Sequence, residues 1–547
     1  MRRSGAAAAA GGAAAAGGAA AAGGAAAAGG AAALLGAGAG ELVAALAAPT
    51  ASPFAVIGGA LIDAAPTWAK DTAIAWFGTA DKLALLIGIG VALLAVAAIA
   101  GIAESRWRGV GVIAFAALGV GVGVLALTRA DAGPLSWLPA VVAGAVAAVF
   151  LRTLLSLAPA EGVVPAEGVV PAEGVVPSEG VAPEGAPSDT SAHSRRRFLA
   201  WTGGAAIVGV ALAVGGTLAR AGSTAVTVVR DAIRLPRPAV PAPAAPAGAA
   251  LDVAGLSPLI TPNSDFYRID TALVVPTVDP AQWQLRIHGL VDHEVRLAWD
   301  ELLALPLIEA PVTLSCVSNP VGGDLVGNAV WLGYPIRELL ARAQPHADAD
   351  MVLSTSADGF TAGTPLEALT DDRDALLAIG MNGEPLPLEH GFPVRMVVPG
   401  LYGYVSATKW VTDLEVTRFD RSRAYWTDRG WSARGPIKLQ SRIDVPRSGA
   451  QITAGDAVIA GVAWQPGTGV SGVEVQVDDE PWQRAELAPA LSSDTWVQWR
   501  MPWRATPGAH VLRCRAIDAD GNVQTGASAP PAPDGATGWH TVTATVA

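Results

Sequence analysis

The sequence predicts a multi-domain chain with N-terminal transmembrane helices, then a mixed α/β domain, then a β-sandwich. The 547 residues are 51% hydrophobic, which is too apolar for an ordinary soluble protein. From about residue 251 apolar and charged residues mix in short helix and strand patterns, and after about 436 short strands alternate with Gly and Pro turns. The net charge of −12 argues against nucleic acid as a partner.

Four stretches reach the length of roughly 20 apolar residues that crosses a bilayer. They are 83–104, 108–128, 135–156 and 198–219. A fifth stretch, 30–48, is Ala-rich, follows an Ala/Gly tract and carries Glu41. We expect Glu41 either to have a function inside the span or to face a helix partner or the surface.

The distribution of basic residues predicts which side of the membrane each segment occupies. With five spans and the N-terminus inside, the cytoplasmic side receives most of the basic residues, and everything after about residue 220 lies outside the cytoplasm. Lys70, Lys82 and Arg129 fall on the opposite side. The cytoplasmic set is Arg2, Arg3, Arg106, Arg108, Arg152 and Arg195 to Arg197.

A short motif before the last span supports the same orientation. Ser194 to Leu199, which reads SRRRFL, resembles the signal of the twin-arginine translocation pathway. The alternative is a set of arginines that acts only as a topological anchor. Because that pathway exports folded proteins, the resemblance implies a cofactor-bearing domain downstream.

Two linkers and the change in composition set the predicted domain boundaries. A Pro-containing six-residue repeat interrupts helix formation between the fourth and fifth spans, and a Pro/Ala-rich segment follows the fifth. The predicted domains are a membrane anchor of about four helices at 1–156, a linker at 157–194, the twin-arginine-like motif and fifth helix at 195–220, a linker at 221–250, a catalytic domain at 251–435 and a β-sandwich at 436–547.

Local patterns predict individual elements of the last two domains. We expect a strand at 284–289, short helices at 298–305 and 336–343, and a turn at 331–335. In the strand 511–515 the side chain of Cys514 shares a face with Leu512 and Ala516, which predicts that Cys514 is a buried core residue.

Cys316 has a different setting, at the end of an apolar strand-like run and before a glycine-rich turn. Its thiolate is suited to a soft transition metal, and the only other cysteine is Cys514, so further ligands must come mostly from outside the protein's sulfurs. Downstream, His390, Arg395 and Lys409 surround another glycine-containing turn, a combination that favours an anionic, phosphate-bearing ligand.

Taken together, these motifs resemble the sulfite oxidase family of molybdopterin-dependent oxidoreductases over residues 250–547. The resemblance is carried by the runs DFYR at 265–268, LSCVSN at 314–319, SADGF at 356–360, MNGEPLP at 381–387, HGFPVR at 390–395, SATKW at 406–410, SRID at 441–444 and GWHTV at 538–542. It implies a molybdopterin-binding fold, then an immunoglobulin-like domain through which the chain forms a homodimer.

The resemblance also implies roles for individual residues. Cys316 would be the one protein ligand to molybdenum, and Arg268 would contribute a cation to catalysis as well as to cofactor binding. The residues implied to bind the pterin or its phosphate are Asn263, Tyr267, Arg268, Ser356, Asp358, His390, Arg395, Ala407, Thr408 and Lys409.

The chain departs from sulfite-oxidising members just after the cysteine. Those members carry an arginine there, whereas Asn319 is followed by Pro320 and Val321, and Phe360 stands where a substrate-site tyrosine aligns. The expected reaction is therefore oxygen-atom transfer on a small oxyanion or oxide, either sulfite oxidation or reduction of S-oxides, N-oxides or nitrate. A non-catalytic extracellular binding protein is the alternative from another class.

The expected membrane part is an anchor that carries no haem. None of the seven histidines lies within a predicted span, and the spans lack Met and Cys, so the usual axial haem ligands are missing. Electrons would then pass to a separate carrier such as a cytochrome. The predicted location is the cell membrane, with the catalytic domain on the extracytoplasmic side.

Overall fold

A computed structural model describes residues 3–66, 69, 72, 76, 81–130, 132–158, 189–221 and 224–547. The chain divides into two compact units, Met1–Thr224 and Ala225–Ala547. The repeats of the predicted linker at 157–194 lie outside the described residues from 159 to 188.

The first unit is built from long apolar helices. Five of its described helices contain segments that are long and apolar enough to cross a membrane: Gly18–Ala47, Leu83–Arg106, Val110–Leu127, Leu138–Ser156 and Arg196–Leu218. The helices themselves are α1 (Arg3–Ala47), α2 (Pro53–Ala64), α3 (Asp81–Arg106), α4 (Val110–Leu127), α5 (Leu138–Ser156) and α6 (Asp189–Ala221).

Helix α1 packs against α3, α5 and α6 through residues without bulky side chains. A Cβ on Gly29 would overlap the backbone of α3 at Ala97, and one on Gly38 would overlap the backbone of α6 at Gly209. Gly36 faces α5 in the same way, at Ala143. A glycine costs about 1 kcal/mol in a helix, but small residues let apolar helices approach closely and gain dispersion contacts. The Ala/Gly-rich helix thus occupies a central place in this unit.

Two buried carboxylates in this unit have partners from the chain itself. Glu41 accepts a hydrogen bond from the Ser52 hydroxyl (2.6 Å), and Ser52 is the N-cap of α2. Glu104 accepts from the backbone N–H groups of Gly109, Gly111 and Val112 at 2.9–3.2 Å. Glu104 caps α4, because the first N–H groups of a helix lack partners within it. The sequence predicts for Glu41 either a function in the span or a position facing a helix partner or the surface, and the structure shows it facing helix α2.

The second unit begins with two five-stranded sheets, the first mixed and the second antiparallel. One has the order β2-β1-β10-β5-β6, and the other has the order β3-β4-β7-β8, with β9 paired to β7. The elements are α7 (Thr224–Ala232), β1 (Gln284–Gly289), β2 (Val295–Ala298), α8 (Trp299–Leu303), β3 (Ile308–Ser315), β4 (Val326–Pro335), α9 (Ile336–Ala343), β5 (Met351–Ser356), β6 (Thr361–Pro365), α10 (Glu367–Thr370), β7 (Leu376–Met381), β8 (Glu384–Pro385), β9 (Arg395–Val397) and β10 (Val411–Thr417).

Two further sheets enclose a separate hydrophobic core near the C-terminus. Their orders are β11-β13-β17-β16 and β12-β19-β18-β14-β15. Cys514 is fully buried between them with Leu512 and Ala516, so its prediction as a core residue is confirmed. The strands are β11 (Gln440–Val445), β12 (Ala450–Ile452), β13 (Gly455–Trp464), β14 (Val470–Val477), β15 (Gln483–Arg484), β16 (Glu486–Leu487), β17 (Val497–Ala505), β18 (Gly508–Asp518) and β19 (His540–Val546).

The predicted strand and the two predicted short helices form, but the predicted turn does not. The predicted strand at 284–289 and helix at 336–343 are β1 and α9. The turn predicted at 331–335 is wrong, because these residues complete β4 and pair with β7. Gly333 suggested a turn, but it lies where a Cβ would overlap the backbone of Leu377, so the glycine permits close strand pairing.

The Pro/Ala-rich segment before residue 250 lies along a sheet edge. The Ala239 N–H donates to Leu307 O (2.7 Å), and the Glu309 N–H donates to Val240 O (2.9 Å). The Glu309 carboxylate accepts from the Ala242 N–H (3.1 Å). These bonds hold part of the predicted 221–250 linker against β3.

Candidate functional site

Cys316 occupies the first position after β3, in a ten-residue loop that leads from Ser315 to Val326 in β4. Its N–H donates to Leu325 O (2.9 Å), which closes the loop at its base, and its carbonyl accepts from the Asn319 N–H (3.1 Å). The sequence pattern of an apolar strand followed by a glycine-rich turn therefore places the thiol at the end of a rigid hairpin.

The thiol is enclosed, with 9% of the residue exposed, and its Sγ lies 2.8 Å from Ser318 Oγ. Burial raises the pKa of Cys316, and the Ser318 hydroxyl opposes that shift by stabilising the thiolate. A bound metal would favour the thiolate strongly. Among the described residues there is no group of three or more His, Cys, Asp and Glu side chains able to hold a metal, so Cys316 belongs to no such cluster.

Arg395 is a buried cation with incomplete pairing. Its guanidinium donates to the carbonyls of His390 (3.2 Å) and Met396 (3.3 Å) and lies 4.9 Å above the Trp331 ring. Burial lowers its pKa to about 10. No carboxylate lies within 4.0 Å of it among the residues that the structure describes. A buried guanidinium is costly without an anion, so this position calls for an anionic ligand.

Tyr267 lies close enough to both of these groups to sense their charges. Burial raises the pKa of the Tyr267 hydroxyl, Cys316 raises it further, and Arg395 opposes the rise. The ring stacks on Phe266 with 5.2 Å between the ring centroids. Tyr267 therefore stays neutral at pH 7.

His390 lies beside Arg395 and is neutral at pH 7. Burial lowers its pKa to about 4, with contributions from the charges of Arg395 and Lys409. Its Nε2 is 3.2 Å from Asn263 O; because a carbonyl only accepts, Nε2 carries the proton. Gly391 has φ of 108°, and a Cβ added there would lie about 3 Å from both Arg395 Cβ and Lys409 Cβ, so the position favours glycine.

Lys409 and Arg268 share a carboxylate that sequence reasoning missed. Lys409 Nζ donates to Asp270 (2.6 Å) and to Glu389 O (3.0 Å), and Arg268 Nε donates to the same Asp270 oxygen (2.9 Å). Burial lowers the pKa of Lys409 to about 8, although Asp270 opposes the shift. The Arg268 side chain is 39% exposed. Asp270 thus fixes both cations and neutralises part of their charge.

The remaining predicted residues fall into two groups by how their polar atoms are satisfied. Ser356 Oγ is buried without a hydrogen-bond partner. In contrast, Thr408 Oγ1 bonds Ser354 Oγ (2.7 Å), and Asp358 accepts from the Phe360 N–H (3.2 Å). Asn263 accepts from Asn382 (2.8 Å), and the Ala407 N–H donates to Gly403 O (2.9 Å). Of this set only the Ser356 hydroxyl is left without a partner.

Hydrogen bonds bring the predicted residues together from distant parts of the chain. The Ala357 N–H donates to Trp410 O (2.8 Å), which ties the 356–360 turn to the segment that carries Lys409. Lys409 bonds the carbonyl of Glu389, the neighbour of His390, and His390 bonds Asn263. Asp270 connects Lys409 to Arg268. Within the cysteine loop, Pro320 and Val321, which follow Asn319, supply no cation.

Comparisons with known proteins agree with this geometry. Residues 272–426 match the family described as oxidoreductase molybdopterin binding domain. The chain is 34% identical over 157 residues to the uncharacterized oxidoreductase YuiH of Bacillus subtilis, a match that covers 29% of this chain and 76% of that protein. It belongs to the sulfite oxidase family of molybdopterin-dependent oxidoreductases. The cofactor of this family is molybdenum with molybdopterin.

Longer family members match over a larger part of the chain. Chicken sulfite oxidase is 29% identical over 320 residues, which cover 50% of this chain and 69% of that enzyme. Human mitochondrial sulfite oxidase is 30% identical over half of this chain, which spans only 58% of the human protein. Among solved structures, the sulfane dehydrogenase SoxCD of Paracoccus pantotrophus covers 52% of this chain and 80% of its own, with 23% identity and a TM-score of 0.45.

The described residues fit a molybdenum–molybdopterin group. A thiol stands alone at the end of a hairpin, a buried guanidinium lacks a carboxylate partner, and a buried hydroxyl is unpaired. The thiol suits the metal, the guanidinium suits the phosphate, and the hydroxyl suits the polar pterin ring. Two contributors, Ser318 and Asp270, were missed from sequence although each stands two residues after a predicted site residue.

Proposed function

We propose that residues 251–435 catalyse two-electron oxygen-atom transfer on a small substrate, with Cys316 as the protein ligand to molybdenum. The observation that carries this proposal is Arg395, a 5% exposed guanidinium that bonds only carbonyl oxygens. Bound molybdopterin would supply the metal centre that exchanges an oxygen atom and two electrons with the substrate.

The chain's own residues divide the binding of this group among them. Arg395 and Lys409 offer cations to the pterin phosphate, and neutral His390 is the third member of that set. Ser356 Oγ offers a hydrogen bond. Tyr267 lies within electrostatic range of both Arg395 and the thiol, while Ser318 favours the thiolate form of Cys316. These contacts would orient the metal before substrate arrives.

Sulfite is the first candidate substrate. Its oxidation by water to sulfate releases two protons and two electrons, and the electrons would leave singly to a separate carrier such as a cytochrome. Arg268 is the partly exposed cation of the cluster, and part of its charge is compensated by Asp270. We assign Arg268 to attraction of an anionic substrate.

Reduction of an S-oxide, N-oxide or nitrate is the second candidate. The feature that favours it is the loop after Cys316, where Pro320 and Val321 offer no charge for a sulfite dianion. Steady-state assays of the full chain with sulfite and with a panel of oxides decide between the two. Turnover of sulfite alone removes the reductase.

The helical unit is proposed to anchor the catalytic part to the extracytoplasmic face of the membrane. Five described helices have the length and composition of spans, and the twin-arginine-like motif at 194–199 precedes the last of them. Replacement of Arg195 and Arg196 by Lys should leave residues 250–547 inside the cell. Normal export of this variant would refute the assignment of the motif.

Metal content tests the central assignment and the non-catalytic alternative together. Cys316→Ala should lose stoichiometric molybdenum, whereas Cys514→Ala should keep it, because Cys514 lies in the sandwich core. Wild-type protein that matures properly without molybdenum would refute the proposal.

The proposed homodimer, expected through residues 436–547, is tested by the mass of the detergent-solubilised chain.

A further inference from the structure

The loop that carries Cys316 rests against the C-terminal sandwich. Arg442, on β11, donates from Nη1 to the carbonyl of Gly323 in that loop (2.8 Å). Its Nη2 donates to Ser257 Oγ (2.8 Å), and its Nε donates to Asp444 (2.6 Å). The side chains of Arg442 and Asp444 are only 11% and 8% exposed. One guanidinium thus joins the loop, the sandwich and the start of the catalytic domain.

A second side chain of the sandwich lies against the same loop. His540, the first residue of β19, accepts the Ile443 N–H at Nδ1 (2.9 Å), so that Nε2 carries the proton of the neutral ring. A Cβ on Gly322 would overlap this ring, and Gly322 has φ of 76°. The loop can reach the imidazole only because residue 322 has no side chain.

Few bonds separate these contacts from the thiol. The Gly323 N–H donates to Pro320 O (2.9 Å), and the Leu325 N–H donates to the Asn319 side chain (3.0 Å). Leu325 O and the Asn319 N–H then bond the backbone of Cys316. A displacement of the Gly323 carbonyl would therefore move the backbone that sets the direction of Sγ.

We propose that Arg442, supported by His540, is a positioning residue that lets the C-terminal sandwich set the orientation of the Cys316 thiolate. This inference rests on the proposed function of Cys316 as metal ligand. Arg442 is paired with Asp444 inside the protein, so its charge is balanced locally and its role is geometric. The sandwich then contributes to the metal site without touching the substrate.

The test compares Arg442→Gln with Arg515→Gln in the full chain. Arg515 also forms an ion pair in the sandwich, with Glu474 (2.6 Å), and its guanidinium lies over the Trp482 and Trp539 rings rather than bonding the loop. In cofactor-free protein, we expect Arg442→Gln to raise the alkylation rate of Cys316 about tenfold, measured by peptide mass spectrometry, because local opening becomes easier. Arg515→Gln should leave that rate unchanged.

In molybdenum-loaded protein, Arg442→Gln should shift the electron paramagnetic resonance signal of the one-electron-reduced metal. It should also lower kcat at least about tenfold with KM nearly unchanged, because the metal is misoriented while substrate attraction remains. Arg442→Lys keeps the charge but loses the fork of donors, so it should show the same shift in weaker form. It also serves as the second variant if Arg442→Gln does not accumulate.

Two results would overturn the inference. One is wild-type alkylation and an unchanged spectrum in both Arg442 variants. The other is a rise in KM alone that Arg442→Lys restores, since this would make Arg442 a substrate-binding cation. If the wild-type chain holds no molybdenum, the proposed function fails, and the alkylation measurement still reports whether the sandwich restrains the Cys316 loop.

Discussion

The helical unit and the cysteine-bearing domain differ in how buried Glu104 and buried Arg395 are paired. In the helical unit, Glu104 is met by three backbone N–H groups and Glu41 by the Ser52 hydroxyl. Around Cys316, the Arg395 guanidinium donates hydrogen bonds only to carbonyl oxygens, and Ser356 Oγ has no hydrogen-bond partner. Both regions bury polar groups at a cost; the two buried glutamates of the first are paired with donors of the chain, whereas Arg395 has no carboxylate partner among the described residues.

This difference separates structural charges from ligand-binding ones. A carboxylate that caps a helix contributes to stability as soon as the chain folds. A buried cation without an anionic partner lowers the stability of the cofactor-free protein, and it gains that partner when the ligand binds. The completeness of the hydrogen-bond set is thus a better guide to function than burial alone.

Replacement of Arg395 should give the largest effect and tests this contrast directly. We expect Arg395→Met to weaken cofactor retention by about 2–5 kcal/mol, the usual cost of removing one partner of a buried charge pair. The same change should leave the melting temperature of the cofactor-free chain unchanged or higher. Cofactor content and thermal unfolding measure the two outcomes, and a large loss of apo stability would contradict the distinction.

Acidification should destabilise the cysteine-bearing domain through His390. Its folded pKa of about 4 lies below the ordinary 6.5, so the unfolded chain binds more protons between these values. Stability is therefore lost as pH falls from about 6.5 to 4, by at most about 1.4 kcal/mol per pH unit. Melting curves of the cofactor-free chain and of His390→Gln measure this slope, and equal slopes in the two proteins would refute the assignment.

Anion binding to the cofactor-free site should weaken at alkaline pH because of Lys409. Its pKa of about 8 means that the ammonium loses its proton above that pH, and affinity then falls by at most about tenfold per pH unit. Sulfate is a suitable probe, since its charge is constant over this range. Calorimetric titration should show the fall in wild-type protein and its absence in Lys409→Met; a pH-independent wild type would exclude Lys409 from the anion site.

Replacement of Glu104 should give the smallest effect and only in the helical unit. Glu104→Gln keeps an acceptor for the N–H groups of α4 but removes the negative charge at the helix N-terminus, which costs about 0.3–1 kcal/mol. We expect a small fall in melting temperature in detergent. Molybdenum content should stay at the wild-type level, and its loss would contradict the prediction that Glu104 affects only the helical unit.

Sequence patterns sufficed where a local signal coincides with the three-dimensional contact. The strand at 284–289 alternates in burial as its sequence does, and the burial of Cys514 follows from its alternation with Arg513 and Arg515. The cysteine motif and the His390, Arg395 and Lys409 set were found because their residue types are unusual in their surroundings.

Other features depend on contacts between distant residues and could not be predicted from local pattern. Asp270 pairs with Lys409 across 139 positions, and an acid among cations counts against an anion site until its geometry is known. The 331–335 strand was missed because Gly333 and Pro335 are ordinary turn residues. Central placement of α1 was hidden because alanine scores low as a membrane residue, while its small size is what the packing requires.

The repeated Ala/Gly tract allows α1 to tolerate changes in its length. Glycine pairs recur every six residues at 11–12, 17–18, 23–24 and 29–30, and six helical residues turn by about 600°, so that successive pairs point about 240° apart. Gly24 meets Phe198 of α6, and Gly29, five residues or about 140° further round the helix, meets Ala97 of α3. Gain or loss of one six-residue repeat upstream of Gly29 would leave Gly29, Gly36 and Gly38 opposite α3, α5 and α6 unchanged. Helix α1 can therefore change in length by six residues without altering these three close contacts.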